Sequence, residues 1–515
     1  MKNYFLYLMA MAIMVACGNG DKNKSDKLNV DGAQYAEPFR PQYHFTPKEM
    51  WMNDPNGLVY HEGIYHLFYQ YYPEDIVWGP MHWGHAVSKD MVHWQHKPIA
   101  LYPDEHGYIF SGSAVVDKMN TSGFGEEGQQ PLVAIYTYHL MESEKAGRAD
   151  FQTQGIAYSL DNGDTWVKYE GNPVIDNEGI RDFRDPKVFW HEPSEVWIMT
   201  LVAGDHAKFY SSKNLREWEY LSDFGKEQGA HGGVWECPDL IKFNVEGANE
   251  EKWVLIISIN PGAPNGGSGT QYFVGDFDGS SFTTNQEEIK WLDWGTDNYA
   301  GVTYNNAPND ECIFIGWMSN WTYARDTPTK KWRSAMTLPR KLTLAKEGNI
   351  YFLKNTPLVQ LASLKSEVAP KSFDITPGQV KEMEFETNNQ AQVVFTTSSN
   401  KFEMKFANAK GENMVLGIND TVAYLDRRQS GKIDFHEEFG KTVHKMSLKG
   451  LAQESYEVSL YIDRSSVEVF IDDGKFVMTE QIFPTAPYTS LSITNRGTES
   501  LQVKNLKVQK IKSIW

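Results

Sequence analysis

The stretch Ser88-Lys89-Asp90-Met91-Val92-His93-Trp94 decides the fold, because versions of it recur along the first part of the chain. In each version a β-like run ends, the chain turns at Asp or Asn, and the next β-like run begins at an aromatic residue. The others are Ser159-Leu160-Asp161-Asn162-Gly163-Asp164-Thr165-Trp166, Ser211-Ser212-Lys213-Asn214-Leu215-Arg216-Glu217-Trp218 and a degenerate fourth, Asp276-Phe277-Asp278-Gly279-Ser280-Ser281-Phe282. The first three Trp positions lie 72 and 52 residues apart. That period suits one four-stranded blade plus its loops and predicts a β-propeller.

The domain organisation follows from changes in this pattern. Residues 40–345 show short β-like runs and almost no helical periodicity, which favours an all-β fold. From about residue 370 the strands are longer and alternate cleanly, as in Tyr456 to Arg464, which indicates antiparallel strands with one buried face. We therefore predict a propeller over 37–350, a linker over 351–369 with a short helix between Thr356 and Glu367, and a β-sandwich over 370–515.

Composition narrows the class of ligand. The formal net charge of -18 argues against nucleic acid, whose phosphates would be repelled, and against an electrostatic grip on anionic lipid. Aromatic residues make up 13% of the chain, with 16 Trp and 26 Tyr. Such side chains suit stacking on flat apolar surfaces such as the faces of sugar rings, so we expect a neutral substrate.

The N-terminus resembles a bacterial lipoprotein signal. Lys2 precedes an apolar run that is too short to span a bilayer, and small residues then lead to Cys17. We expect a signal over 1–17, a lipidated Cys17, a flexible tether over 18–36, and attachment to the bacterial cell envelope through the lipid alone, facing either the periplasm or the outer surface. A cleaved secretory signal with an incidental cysteine is the alternative. Cys237 and Cys312 are the other cysteines, so no disulfide framework is indicated.

Three carboxylates are each held close to a proline. Asp54 stands in Trp51-Met52-Asn53-Asp54-Pro55-Asn56-Gly57, Asp185 in Arg184-Asp185-Pro186, and Glu236 in Trp235-Glu236-Cys237-Pro238. Proline fixes its own φ and restricts the residue before it, so these acids are preorganised rather than freely solvated. Their wide spacing places them on different blades, and the inner strands of a propeller meet at its axis. We therefore expect the three acids to converge.

Convergent carboxylates cannot all ionise easily, so one becomes a proton donor while another stays anionic. Glu236 is the expected donor, because its extra methylene gives reach and Trp235 can desolvate it. Asp54 is the expected nucleophile, and Asp185 would bind sugar hydroxyls as charge develops. This arrangement is typical of a retaining glycosidase, in which the two reacting carboxyls lie about 5 to 5.5 Å apart.

These motifs resemble those of glycoside hydrolase family 32, the invertases, inulinases and levanases. The likeness continues in order through the stretches Trp78 to Ala86, Phe110 to Ser113, Trp332 to Arg340 and Asp463 to Phe470. It implies a five-bladed propeller with a C-terminal β-sandwich, and cleavage of β-fructosides in fructans or sucrose with retention and without a cofactor. It also implies that Asp54 is the nucleophile, Glu236 the acid/base and Asp185 the transition-state stabiliser. The implied binding residues are Trp51, Asn53, Gln70, Trp78, Phe110, Ser111 and Arg184, an aromatic from Trp317 and Trp321, and Tyr299 near the acid/base.

Several alternatives stay open at this point. The histidines His82, His85, His93 and His96 invite a metal hypothesis, but their spacing puts each pair on opposite faces of a strand, so we expect no metal. A related propeller group cleaves arabinosides or xylosides by inversion, with carboxyls roughly 6.5 to 9.5 Å apart. A glycan-binding surface lipoprotein without activity is the third hypothesis. We expect exo action with release of fructose, from β-2,1- or β-2,6-linked fructans.

Overall fold

The computed structural model describes residues 35–452 and 454–515. Cys17, the signal and most of the expected tether therefore lie outside the described residues. Within the described ranges, no helix is both long enough and apolar enough to cross a membrane.

Five antiparallel sheets form the first domain. The first comprises β1 (Met50–His61), β2 (Ile64–Tyr72), β3 (His82–Ser88) and β4 (Trp94–Leu101). The second comprises β5 (Tyr108–Val116), β6 (Leu132–His139), β7 (Gln152–Ser159) and β8 (Val167–Lys168). Helix α1 (Met141–Lys145) lies between β6 and β7. The third comprises β9 (Phe183–His191), β10 (Val196–Ala203), β11 (Ala207–Ser212) and β12 (Glu219–Phe224). The fourth comprises β13 (Val234–Asn244), β14 (Glu251–Asn260), β15 (Gly269–Phe277), β16 (Phe282–Thr283) and β17 (Lys290–Trp291).

The fifth sheet closes the ring. It comprises β18 (Tyr299–Thr303) and β19 (Ile313–Met318), then β21 (Ala335–Met336), β22 (Arg340–Glu347) and β23 (Ile350–Pro357), while β20 (Trp332–Arg333) leaves it to pair in parallel with β1. The strands β1, β5, β9, β13 and β18 contact one another in a closed circuit. This is the expected five-bladed propeller, with those strands around its axis.

The recurring sequence stretches are the turns between the third and fourth strands of the first four blades. In the first blade, Asp90 Oδ1 accepts hydrogen bonds from the backbone N–H groups of Val92 (2.9 Å) and His93 (2.8 Å). Asp161, Asn214 and Asp278 accept equivalent backbone hydrogen bonds in the next three blades. The repeat is therefore a local turn device, in which a side chain replaces lost ladder partners.

Each innermost strand carries a β-bulge near the start of the strand. The pairing is interrupted between Met52 and Pro55, Ile109 and Gly112, Arg184 and Lys187, Glu236 and Asp239, and Tyr299 and Val302. Proline lies at three of these interruptions, where its missing N–H costs little in the ladder. Because a bulge re-aims a side chain, the bulges give the acids and their neighbours directions that regular strands would not.

The second domain is a sandwich of two six-stranded sheets around one apolar core. Its strands are β24 (Lys371–Ile375), β25 (Val380–Glu384), β26 (Ala391–Thr397), β27 (Lys401–Ala407), β28 (Asn413–Asn419), β29 (Val422–Gln429), β30 (His444–Ser447), β31 (Tyr456–Asp463), β32 (Ser466–Ile471), β33 (Phe476–Gln481), β34 (Ser490–Asn495) and β35 (Leu501–Lys510). The all-β fold class is confirmed.

The connection between the domains differs from the expected linker over 351–369. β23 runs to Pro357 and pairs with β22 along its whole length, so the start of that range belongs to the fifth blade. A short 3-10 helix (Val359–Leu364) stands where a helix was expected from Thr356 to Glu367. Two more 3-10 turns are Glu192–Ser194 and Pro308–Asp310.

Buried charges join the two domains. Glu468 of the sandwich contacts His44 (2.8 Å) and Arg340 of the propeller, and Arg340 also pairs with Asp293 at 2.9 Å. His44 holds Asp463 through its other ring nitrogen at 2.8 Å. The late motif from Asp463 to Phe470 and the motif ending at Arg340 are therefore interface motifs.

Candidate active site

A cavity of about 230 Å³ opens on the propeller axis at the bulged ends of the inner strands. Its wall includes most of the residues expected from the sequence: Asn53, Asp54, Gln70, Trp78, Phe110, Ser111, Arg184, Asp185, Glu236 and Trp321. The three acids thus converge, although they come from β1, β9 and β13. Asn53, Gln70, Ser111 and Asp185 are buried although they line the cavity, so they form its deep end.

Asp54 is fixed by two side-chain donors. Asn53 Nδ2 donates to Asp54 Oδ1 at 3.0 Å, and Ser111 Oγ donates to Asp54 Oδ2 at 2.6 Å. Burial and then the negative charge of Glu236 raise the pKa of Asp54, while the two donors oppose that rise. The carboxylate is therefore oriented by its neighbours and electrostatically coupled to Glu236.

Asp185 is held by a strained backbone. Asp185 and Cys237 both have left-handed φ values, 63° and 46°, which are uncommon for residues other than glycine and cluster at functional sites. The Cys237 N–H donates to Asp185 Oδ2 at 3.0 Å, and the Cys237 thiol lies 3.7 Å from both Asp185 Oδ2 and Asp54 Oδ2. Burial raises the pKa of Asp185, with Arg184 opposing and Glu236 and Asp54 adding to the rise.

Both carboxyl oxygens of Glu236 accept hydrogen bonds. Arg184 Nη2 donates to Oε1 at 3.0 Å, and the buried Tyr299 hydroxyl donates to Oε2. Arg184 also donates to Asp182 Oδ1 at 2.7 Å, so its guanidinium connects Glu236 to a further acid. Burial alone would lower the pKa of Arg184, but the surrounding acids raise it, and the cation persists at any physiological pH.

Three expected binding residues stand behind the cavity wall. Trp51 and Trp317 are fully buried, and Tyr299 is 1% exposed, so none of them faces the opening. Trp51 instead donates its indole N–H to Asn53 Oδ1 at 2.7 Å and thereby orients the amide beside Asp54. Of the two candidate tryptophans, Trp321 lines the cavity, while Trp317 packs beneath it with ring centroids 4.9 Å apart.

Six residues of the cavity wall were not anticipated: His139, Glu144, Phe151, Gln152, Asp182 and Arg325. Asp182 lies beside the Arg184 motif, and that proximity was an available signal. Four others come from β6, β7 and the connection between them, which shows no motif. Arg325 follows Trp321 closely in sequence, but no residue pattern distinguishes it from an exposed surface cation.

The four histidines considered as metal ligands have other contacts. His82 Nδ1 lies 2.9 Å from the Pro80 carbonyl, His93 Nδ1 2.9 Å from Asp90, and His85 Nε2 3.1 Å from His66. His96 packs against Phe45 and Trp515. Among residues 35–452 and 454–515, no group of three or more His, Cys, Asp or Glu side chains is arranged to hold a metal ion.

The family is shown by two models that match nearly all of the described chain. The Glycosyl hydrolases family 32 N-terminal domain matches residues 44–355, and the Glycosyl hydrolases family 32 C terminal model matches residues 354–510. The chain belongs to glycoside hydrolase family 32. It is therefore an enzyme, and the hypothesis of a propeller from the inverting arabinosidase and xylosidase group is set aside.

Relatives agree with this assignment. The chain is 45% identical to a levanase of Bacillus subtilis over 94% of its own length and 72% of the relative's. It is similar in structure to an exo-inulinase from Aspergillus awamori, with a TM-score of 0.86 and 39% identity over 93% of this chain and all of the other. A β-fructofuranosidase from Schwanniomyces occidentalis, complexed with fructosyl-erythritol, gives a TM-score of 0.80 and 32% identity over 93% and 99% of the two chains.

Proposed function

We propose that this enzyme hydrolyses β-fructosidic bonds at the ends of fructan chains with retention of configuration, and that it also accepts sucrose. The observation that carries the proposal is the convergence of Asp54, Asp185 and Glu236 on one cavity. Levanase and exo-inulinase relatives that match over most of the chain support fructans as the substrate class.

In the first step Asp54 attacks the anomeric carbon of the terminal fructosyl unit. Glu236 gives its proton to the glycosidic oxygen, the bond from that oxygen to the anomeric carbon breaks, and the shortened chain leaves. Asn53 and Ser111 hold the Asp54 carboxylate still, so little reorganisation is needed when it attacks.

In the second step Glu236 takes a proton from water. The oxygen of that water attacks the anomeric carbon, the ester to Asp54 breaks, and fructose is released with its original configuration. Arg184 and Tyr299 aim Glu236 in both steps, since each binds one of its oxygens. Asp185, fixed by Cys237, would accept hydrogen bonds from fructosyl hydroxyls that strengthen as positive charge develops on the ring.

The shape of the cavity favours exo action. The acids lie among buried side chains in a cavity of about 230 Å³, a position that suits the terminal unit of a chain better than an internal unit. Chromatography of early products from inulin, levan and sucrose tests this proposal. Fructose as the sole early product from both fructans supports exo action, whereas a ladder of oligosaccharides would refute it.

Retention needs its own test. NMR of the first turnovers on a β-fructoside should show β-fructofuranose before mutarotation. The α-anomer as first product would refute the double displacement and return the site to an inverting mechanism.

We also propose that the enzyme is attached to the cell envelope by a lipid on Cys17. The support is the sequence of residues 1–17 alone, since these residues lie outside the described part. Cys17→Ser should move the enzyme from the membrane fraction to the soluble fraction without loss of specific activity. Membrane association of that variant would refute the anchor.

A further inference from the structure

The connection between β6 and β7, residues 140–151, forms one wall of the cavity mouth. It is longer than the equivalent connection in the third blade, residues 204–206 between β10 and β11. Its base is closed by the Leu140 N–H donating to the Phe151 carbonyl at 2.8 Å and by pairing of His139 with Gln152. Helix α1 then presents Glu144 to the cavity.

Exposure of the cavity wall rises from floor to mouth. Asp185 is 5% exposed and Glu236 18%, whereas Glu144 is 31% exposed and Arg325 is exposed. The fructosyl unit that reacts must reach the buried acids, so the unit joined to it through the bond that Glu236 protonates must lie toward the mouth. Glu144 and Arg325 both line the cavity at that level.

Glu144 lies beside a neutral histidine. Gln152 Nε2 lies 3.2 Å from His139 Nδ1, and His139 Nε2 lies 3.2 Å from Glu144 Oε2. Burial, aided by the positive charge of Arg184, lowers the pKa of His139 to about 4, so the ring is uncharged at neutral pH. With Nδ1 accepting from Gln152, the single ring proton resides on Nε2, which is buried near Glu144 and makes no hydrogen bond to a described residue.

The other contacts of Glu144 leave acceptor capacity for a ligand. Arg181 Nη2 approaches Glu144 Oε1 at 3.5 Å, a long contact from a guanidinium that is 58% exposed. A carboxylate offers about four acceptor positions and no donor, and sugar hydroxyls are donors. Nearby, Gln152 Oε1 is buried and has no hydrogen-bond partner among the described residues.

We infer that Glu144, together with the neighbouring His139 and Gln152, forms a binding site for the second sugar unit of the substrate, in which Glu144 accepts hydrogen bonds from the hydroxyls of that unit. The inference rests on the proposed fructosidase function. If the inference is correct, the β6–β7 connection lets the enzyme bind the end of a fructan chain more tightly than a fructoside with a small leaving group. Glu144 does not touch the reacting bond.

The test compares substrates that differ only in the leaving group. Methyl β-D-fructofuranoside lacks a second sugar ring, and β-2,1- and β-2,6-linked difructosides have one. Glu144→Gln should lower kcat/KM for at least one difructoside about tenfold, or about 1.4 kcal/mol, mainly through KM. Its kcat/KM for the methyl fructoside should stay within about twofold of the parent enzyme, since no hydroxyl of a second ring is lost.

Glu142→Gln is the matched control, because Glu142 is on the same helix, is exposed and does not line the cavity. It should leave all three substrates unaffected. Equal losses for Glu144→Gln on all substrates would overturn the inference in favour of an effect on the reacting centre, and no loss on either difructoside would also overturn it. Failure of the parent enzyme to hydrolyse any of these fructosides would instead refute the proposed function.

Discussion

His44 should make the stability of the whole enzyme depend on pH. Its imidazole is fully buried between two carboxylates, with Nδ1 2.8 Å from Asp463 and Nε2 2.8 Å from Glu468. Only the protonated ring can donate to both acids at once. Burial by itself lowers the pKa of His44, but the hydrogen bonds and charges of the two acids together raise it from 6.5 to about 9.

The sign follows from linkage. A histidine whose folded pKa is raised contributes its full stabilisation below the unfolded value and loses it as pH rises through the folded value. A rise from 6.5 to about 9 corresponds to about 3 kcal/mol, and hence to a loss of about 1.4 kcal/mol per pH unit across that window. Arg340 also pairs with Glu468, and it stays charged throughout the window.

The assay is urea unfolding followed by fluorescence for the parent enzyme and His44→Gln, between pH 6 and pH 9.5. The variant should be less stable at pH 6, and the gap should narrow by about 3 kcal/mol by pH 9.5. His93→Gln is the control, because His93 is 48% exposed beside Asp90. If the two stability curves of the parent and His44→Gln run parallel, His44 is not a buried cation and the reasoning fails.

Three further predictions concern the cavity and its scaffold. Asp54→Asn should lower kcat/KM for fructosides about 10³-fold or more, about 4 kcal/mol, because the nucleophile is lost. Its melting temperature should exceed that of the parent at pH 7, and this difference should be smaller at pH 4. The reason is that the pKa of Asp54 is raised in the folded state, so ionisation of Asp54 opposes folding as pH rises. Unchanged activity in Asp54→Asn would show that another acid attacks. Trp321→Ala should lower kcat/KM about fivefold or more in initial-rate assays through loss of a stacking surface worth about 1 kcal/mol, and Trp317→Phe, behind the wall, should instead lower the melting temperature. Gly112→Ala should destabilise the propeller by about 2 kcal/mol or more, as measured by denaturant unfolding, because a Cβ there would lie 2.1 Å from the Ile135 carbonyl oxygen; Gly497→Ala, whose nearest atom would be 3.3 Å away, is its control.

The propeller could be predicted from the sequence because its repeat is local. Asp90 and its counterparts bond to backbone only a few residues away, so the turn leaves a pattern in adjacent letters. The number of blades does not follow from those turns, since the fifth blade lacks the recurring stretch. The turn between its outer strands, β22 and β23, contains Gly348 instead. It came from the resemblance to the family.

The acids could also be predicted, because each stands next to or near a proline. The sequence could not predict which aromatic side chains face the cavity and which lie behind its wall. Period-two alternation assigns faces only where a strand is regular, and the bulges at Met52 to Pro55 and Tyr299 to Val302 break it near Trp51 and Trp317. Glu144 could not be predicted for a different reason, since its position at the cavity depends on a connection whose shape leaves no local pattern in the sequence.

The sandwich supports the site through its edge strand β33. The Trp294 N–H donates to the Val477 carbonyl at 2.8 Å, and the Asp297 N–H donates to the Thr479 carbonyl at 3.1 Å. The segment so paired leads directly into β18, whose first residue, Tyr299, binds Glu236. The pairing covers an otherwise open strand edge and also fixes the start of the fifth inner strand.

Buried ion pairs add orientation to that contact. Arg427 of the sandwich reaches Asp297 at 2.6 Å and Glu480 at 3.0 Å, all three fully or almost fully buried. Ion pairs of this kind contribute little net stability relative to an apolar contact, yet each demands one geometry, because an unpaired charge there would be costly. The site itself opposes folding, through desolvated acids and left-handed backbone at Asp185 and Cys237. The second domain binds the residues before Tyr299 and therefore fixes the position of the Tyr299 side chain that orients Glu236. The inner strands, each interrupted by a bulge, do not fix that position alone.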